Sequence, residues 1–294
     1  MRFQKNVINN WKDTFNNQSK LKQLITRSNL LGADLKVTNF GGGNTSSKIF
    51  LKDPITKKME NILFVKGSGG DLGSIKEDGF ASLYLDKFYS LKKIYRGPNY
   101  EDEMVSYYPM CTFNNNPRAA SIDTPLHAYV PFPEVDHTHP DSIIALATMS
   151  NGRDVINKVY QGKVGWLNWQ RPGFDLGLKM ENLIEKNNDI MGIVLGHHGL
   201  FTWGNTSKEC YSNSIQLIKK AQTYLNQVRS RAGVSSVSET GSSLTQAIWD
   251  ERRLEFAGEG HRFFDLVRTG QAANEISGFV AGKHEVFPIP QTEI

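Results

Sequence analysis

The stretch PRAASIDTPLHAYVPFPEVDHTHPD, residues 117–141, narrows the choice of fold more than any other part of the chain. It carries His137 and His139 one residue apart, with Asp123 upstream. Along a strand, residues i and i+2 share a face, so H-x-H in extended chain presents two imidazoles to one ion. Neutral imidazole suits zinc and other divalent first-row metals. Catalytic zinc takes three protein ligands and keeps one position open, so a third histidine must return from elsewhere. VLGHHGLFTWG supplies it at His197 or His198; adjacent residues of an extended chain face opposite ways, so one of the two binds. Asp136 and Asp141 are candidates to orient a ring through its second nitrogen. His127 falls at helical spacing from Asp123 and reads as a buried, satisfied polar residue. His261 and His284 take no ligand role.

Composition removes several function classes. A chain of 294 residues can bury a substantial core, as one large domain or two modest ones. The net charge of +4 is carried by scattered lysines with no basic run, so no nucleic-acid partner is expected. No apolar run approaches the roughly 20 residues of a membrane helix. The N-terminal MRFQKNVINNWKDTFNNQSK has no apolar signal-peptide core. A cytoplasmic protein with no membrane contact is the expectation. Cys111 and Cys210 cannot build a disulfide framework and read as two reduced, buried thiols.

Periodicity predicts a helix over residues 1–30, from Trp11, Phe15, Leu21, Leu24 and Ile25. SSKIFLKD and ILFVK read as strands, and residues 77–95 and 101–113 as helices. Pro125 suits a helix first turn, with Asp123 or Thr124 as cap. VDHTHP is a short strand, DSIIALATM a helix capped by Asp141, and NDIMGIVLGHHGLFTWG a strand, turn and strand. SKECYSNSIQLIKKAQTYLNQV is an amphipathic helix. Interleaved strands and helices place the chain in the α/β class, with α+β left open. The small, polar stretch 233–243 reads as a linker between residues 1–232 and a C-terminal piece, 244–294.

Two glycine runs, GGGNTSSK and KGSGGDLG, flank strands. Glycine lets backbone N–H groups turn toward an anion. Neither run is a nucleotide-binding P-loop or a dinucleotide fingerprint. Placed beside a metal site, the pair points to a phosphate, with Ser46, Ser68 and Ser121 as hydroxyl donors and Lys48 or Lys66 as the charge.

RSNLLGADLKVTNFGGGNTSSK, VKGSGGDLG, RAASIDTPLHAYVPFPEVDHTHPDSIIALA and IVLGHHGLFTWG together resemble the class II aldolase/adducin family. The similarity is greatest to the aldolase half of rhamnulose-1-phosphate aldolase/dehydrogenase fusions, over about residues 27–225. The resemblance implies a central β-sheet flanked by helices, a bound zinc or another divalent ion, and a homo-oligomer, usually a tetramer. It implies metal ligands His137, His139 and His198, and Asp123 as catalytic acid/base where many members carry glutamate. It implies phosphate contacts at Gly43, Asn44, Ser68, Gly69 and Ser121. The implied reaction is retro-aldol cleavage of a phosphorylated sugar, a ketose 1-phosphate. Rhamnulose 1-phosphate would yield dihydroxyacetone phosphate and lactaldehyde. Epimerases, dehydratases, metal-free adducin heads and an inactive truncated enzyme share the resemblance.

ERRLEFAGEGHRFFDLVRTG and FPIPQTEI resemble instead the C-terminal end of SusD/RagB glycan-binding proteins, over about residues 244–294. In that family Glu251, Arg252, Arg253, Glu255, Glu259, Arg262, Asp265 and Arg268 would form an ion network rather than a sugar site. A fusion of two unrelated pieces is the expectation. A glycan-binding fragment is the alternative reading of the tail.

Overall fold

Alternating apolar residues in the strand segments give one sheet two buried faces. A computed structural model describes residues 6–39, 41–114, 118–231, 246, 249–250, 253 and 261–286. The strands are β1 (Asn44–Lys52), β2 (Met59–Lys66), β3 (Phe80–Tyr84), β4 (Glu134–Thr138), β5 (Val164–Leu167), β6 (Gly192–Leu195) and β7 (Gly199–Gly204). They form one seven-stranded sheet in the order β3-β2-β1-β4-β7-β6-β5. The β5–β6 pair is parallel and every other neighbour is antiparallel.

Helices cover both faces. One face carries α1 (Lys20–Gly32), α5 (Asp141–Ala147), α6 (Gly152–Tyr160) and α8 (Ser207–Arg231); the other carries α2 (Leu85–Ser90), α3 (Glu101–Tyr107), α4 (Thr124–Ala128) and α7 (Phe174–Lys186). Val194 and Leu200 pack with Ile143, Ile156 and Ile218 on the first face. Their strand neighbours Ile193, Leu195, Phe201 and Trp203 pack with Leu126, Met180 and Ile184 on the second. The period of two in the strands thus sorts these side chains into separate cores, which makes the architecture α/β/α.

A buried ion network sits behind β4. Arg27 of α1 donates through Nε to Asp136 at 2.8 Å and through Nη1 to Glu134. It also reaches Ser207 Oγ of α8, at 2.8 Å, and the Ser46 carbonyl, at 2.6 Å. Glu134 and Asp136 alternate with Val135 and His137, so pairing them on one face sends His137 to the other.

Several sequence expectations need correction. The helix expected over residues 1–30 starts only at Lys20, after a 3-10 turn at Asp13–Asn17. Asn9 accepts from the Trp11 N–H at 3.0 Å, and such local side-chain bonds compete with helix. Residues 77–95 are not one helix. Phe80–Tyr84 is strand β3, because pairing with β2 and burial override the local period. Pro140, not Asp141, stands at the N-terminal boundary of α5, and no side chain caps it. Asp123 holds that position on α4 without capping it.

The chain divides into two compact units, Met1–Ser236 and Val237–Ile294. In the second, Arg262–Arg268 and Ala272–Glu275 are helical. Arg262 pairs with Glu275 at 3.1 Å and Arg268 with Asp265 at 2.9 Å. The expected linker 233–243, and Glu251, Arg252, Glu255 and Glu259, lie outside the described residues.

Candidate metal centre

Strand β4 delivers the first histidine. It pairs with β1 through Asn44↔His137 and with β7 through His137↔Phe201. His137 Nδ1 lies 3.1 Å from the Leu200 carbonyl, which makes Nδ1 the protonated nitrogen and leaves Nε2 bare. His139 lies one residue beyond the strand. Its backbone N–H donates to Thr38 Oγ1 at 3.3 Å, and its Nδ1 meets Asn39 Oδ1 at 3.2 Å, so its Nε2 is bare too.

The third ring comes from the β6–β7 turn. His198 N–H donates to the Leu195 carbonyl at 3.1 Å, and His197 takes the left-handed conformation with φ 57°. That turn brings His198, not His197, to the other two rings. Nε2 of His137 stands 2.9 Å from Nε2 of His139 and 3.3 Å from Nε2 of His198. One ligand atom from each ring lies within 4.8 Å of the others. Two nitrogens on one tetrahedral zinc, each bonded at about 2.0–2.1 Å, lie about 3.3 Å apart. Burial, with the neighbouring rings adding to it, holds His137 well below the usual histidine value. Burial also lowers His139 to about 4 and pushes His198 down. Bare lone pairs facing one another repel unless a cation lies between them. The donor set fits a divalent first-row ion.

The first glycine run packs around these rings. A Cβ on Gly42 would fall 2.8 Å from His139 Nδ1, and one on Gly199 would fall 2.9 Å from His139 Cδ2. Gly43, at φ +74°, would press a Cβ to 2.6 Å from the His137 carbonyl. The second run is open. Gly69 and Gly70, at φ +71° and +82°, have nothing within 4 Å of a would-be Cβ. Ser68 belongs to this open loop; its N–H donates to the Ala119 carbonyl at 3.1 Å, and Arg118 donates to its carbonyl at 3.2 Å.

Asp123 borders both features. Asn44 Nδ2 donates to its Oδ2 at 2.6 Å, and its own N–H donates to Ser121 Oγ at 3.2 Å. Burial raises its pKa, opposed by His198, Asn44 and Lys66. Lys66 is itself buried, lowered first by burial and sustained by Asp123 and Asp71. Lys48 is not a partner of the glycine runs: its Nζ donates to the Val130 carbonyl, and burial lowers it to about 7. Ser46 also turns away from them, with Oγ 2.9 Å from His127 Nδ1. Neither Asp136 nor Asp141 hydrogen-bonds to a histidine ring among the described residues. Asp136 is committed to Arg27 and Ser214 on the opposite face.

The family model for the class II aldolase and adducin N-terminal domain matches residues 22–225. The chain belongs to the class II aldolase/adducin family. Its aldolase domain is similar to an N-terminal class II aldolase domain from Thermoplasma acidophilum. The two are 33% identical with TM-score 0.67, over 74% of this chain and 99% of that one. A sugar-phosphate aldolase from Thermotoga maritima, 14% identical, shares the fold at TM-score 0.51 over 72% of this chain and 95% of that one. An uncharacterized oxidoreductase, YuxG of Bacillus subtilis (strain 168), is 39% identical over 206 residues, which are 70% of this chain and 30% of that protein. The chain thus spans less than a third of that curated relative. A SusD family model also matches, at residues 209–288, starting well before residue 244. Its first part falls on α8, which is one continuous helix of the aldolase domain.

Sequence reasoning missed Asn39, Thr38 and Phe201, which contact the candidate ligand rings His139 and His137 of this aldolase domain. Asn39 immediately precedes the first glycine segment and carried a faint signal. The Phe201 ring gave none, because its role depends on strand register.

Proposed function

We propose that the aldolase domain, residues 1–232, is a metal-dependent carbon–carbon lyase with zinc as its ion and a ketose 1-phosphate as substrate. Rhamnulose 1-phosphate is the proposed sugar, cleaved to dihydroxyacetone phosphate and lactaldehyde. The observation that carries the reading is the convergence of the Nε2 atoms of His137, His139 and His198, beside a carboxylate, Asp123, whose pKa burial raises.

When bound, the divalent ion supplies Lewis-acid stabilisation of the negative charge that develops on the substrate oxygens. The open loop at Ser68 and Gly69, with the Lys66 ammonium, binds the phosphate and fixes which carbon–carbon bond lies at the metal centre. Gly43, Asn44 and Ser121 complete that side: Asn44 holds the Asp123 carboxylate, Ser121 Oγ accepts from the Asp123 backbone N–H, and Gly43 lets the chain pass the His137 carbonyl. Asp123 takes the proton of the C4 hydroxyl. The C3–C4 bond breaks, its electrons pass to the C2–C3 fragment, and C4 leaves as the aldehyde carbon. A proton returned to C3 gives dihydroxyacetone phosphate. A buried carboxylate with a raised pKa suits both halves of this transfer.

The proposal extends to a homo-tetramer in the cytoplasm, and to residues 244–294 as a SusD/RagB-like piece outside the reaction. Among the described residues no helix is long and apolar enough to cross a membrane. The test is an assay coupling dihydroxyacetone phosphate to a dehydrogenase, with zinc-loaded chain and a panel of ketose 1-phosphates. Cleavage is expected, removed by a chelator and restored by zinc. Asp123→Asn should bind zinc normally and cleave about a hundredfold to ten-thousandfold more slowly. Folded, metal-loaded chain that cleaves none of the panel would falsify the proposal.

A further inference from the structure

Residues 67–79 leave β2 and return as β3, and Arg118 reaches both ends of that excursion from a third segment. At its base the Gly67 N–H donates to the Gly79 carbonyl at 2.9 Å, one step beyond the Lys66↔Phe80 pair. Gly67 also forms an antiparallel bridge with Ala120, and the Ser68 N–H donates to the Ala119 carbonyl at 3.1 Å. These bonds lay Arg118 against the loop. Its Nη1 donates to the Ser68 carbonyl at 3.2 Å and its Nε to the Asp78 carbonyl at 3.4 Å. One planar guanidinium thus ties the outgoing chain to the returning chain, with a fixed fork that a lysine ammonium lacks. The arginine stem crosses Gly67 directly: a Cβ there would fall 2.2 Å from Arg118 Cγ.

Other contacts fix the far side of the loop. Asn29 of α1 donates through Nδ2 to the carbonyls of Leu72 and Ile75, at 2.9 and 3.1 Å. Helix α1 approaches so closely that a Cβ on Gly32 would fall 2.0 Å from the Gly73 nitrogen. Asp71 Oδ1 accepts from the Gly41 N–H at 3.0 Å, which joins the two glycine runs. Ser68, Gly69 and Gly70 lie between these anchors and are exposed. Glycine loses more conformational freedom than any other residue when it is held in one shape. A loop with two glycines in succession therefore binds an anion well only if its surroundings hold it ready beforehand. Arg118 also brings a positive charge close enough to act on the Lys66 ammonium.

We propose that Arg118 is a positioning residue for the substrate phosphate: by tying the Ser68 and Asp78 carbonyls together it holds Ser68–Gly70 in the shape that receives a phosphate monoester. It acts through the loop backbone and touches no reacting atom. The inference deepens the reading of the open loop as the phosphate site and rests on it. The two guanidinium bonds matter more than the charge, because the charge by itself leaves the glycines free to move.

Calorimetric titration of the zinc-loaded intact chain with inorganic phosphate tests this, and amide hydrogen exchange over residues 67–79 locates the anion. In the wild type, phosphate should bind and slow exchange in that segment. Arg118→Ala should weaken phosphate binding about tenfold and speed exchange there, with zinc content and urea midpoint little changed. Arg118→Lys keeps the charge but loses the fork, so its affinity should lie within about threefold of the alanine variant. Wild-type affinity in the lysine variant would show that charge alone counts and overturn the positioning role. Undiminished affinity in Arg118→Ala, a loss that tracks lost zinc, or a wild-type segment that phosphate does not protect would overturn it too. With a ketose 1-phosphate as substrate, Arg118→Ala should raise KM about tenfold and leave kcat within about twofold. A fall in kcat at unchanged KM would place Arg118 in the chemistry and overturn the positioning role. A wild type that binds phosphate at the loop yet cleaves no ketose 1-phosphate defeats the aldolase assignment alone, because the binding data still decide what Arg118 does.

Discussion

The Phe201 ring lies flat on the His137 imidazole, with centroids 4.1 Å apart and planes 9° from parallel. The two are directly opposed on β7 and β4, so strand register sets the stack. Phe201 blocks rotation of the ring while the Leu200 carbonyl holds Nδ1, and Nε2 is left aimed at the other histidines. Phe201→Leu keeps an apolar side chain but removes the flat wall. Zinc affinity should fall about tenfold to a hundredfold, as it does when groups that orient a ligand are lost. Calorimetric titration of zinc checks this; an unchanged Kd would show that the stack does not orient the ligand.

The β6–β7 turn separates two adjacent histidines. His198→Ala should abolish stoichiometric zinc binding. His197→Gly should retain it and change stability by no more than about 1 kcal/mol, because relief of the strain at φ 57°, about 1–2 kcal/mol, is partly offset by the greater freedom of glycine in the unfolded chain. Metal content by mass spectrometry and a urea midpoint give the answer. Zinc lost in the His197 variant and kept in the His198 variant would reverse the assignment.

Acid should unfold the chelator-treated protein early. Burial lowers His127 to about 3 and His139 to about 4, and His137 lies well below its ordinary value too. In the unfolded chain these rings titrate near about 6.5. Below that pH the unfolded state binds protons that the folded state refuses, so stability falls with acidification through the window from about 6.5 to 4. The slope is about 1.4 kcal/mol per pH unit for each ring fully engaged. Asp123 and Asp136, raised by burial, oppose this as the pH falls through their raised values. The urea midpoint should drop between pH 7.5 and 5, and an identical midpoint at both would contradict the burial of neutral rings.

Arg27 is fully buried between Glu134 and Asp136. Arg27→Met leaves two carboxylates without their cation and should cost about 3–5 kcal/mol. Adding Glu134→Gln and Asp136→Asn should recover much of the loss, since the penalty comes from stranded charge rather than lost packing. A triple variant no more stable than the single one would refute that origin.

Side-chain direction along a strand follows from backbone geometry alone, so much of the metal centre was legible in the sequence. The H-x-H spacing, the GHHG turn and the alternating apolar runs all indicated strands that carry rings. The same alternation placed Asp136 opposite His137, away from the ring it was a candidate to orient. Other features depended on what a distant segment supplies. Phe80–Tyr84 carries a helical period yet pairs with β2, and no local rule announces the presence of that partner strand. The choice of His198 over His197 came from one left-handed residue in a turn anchored by the Ala147 carbonyl. Asp123 and His127 reach Asn44 and Ser46 because α4 docks on β1, and that docking is a balance of buried contacts made only when the chain is folded.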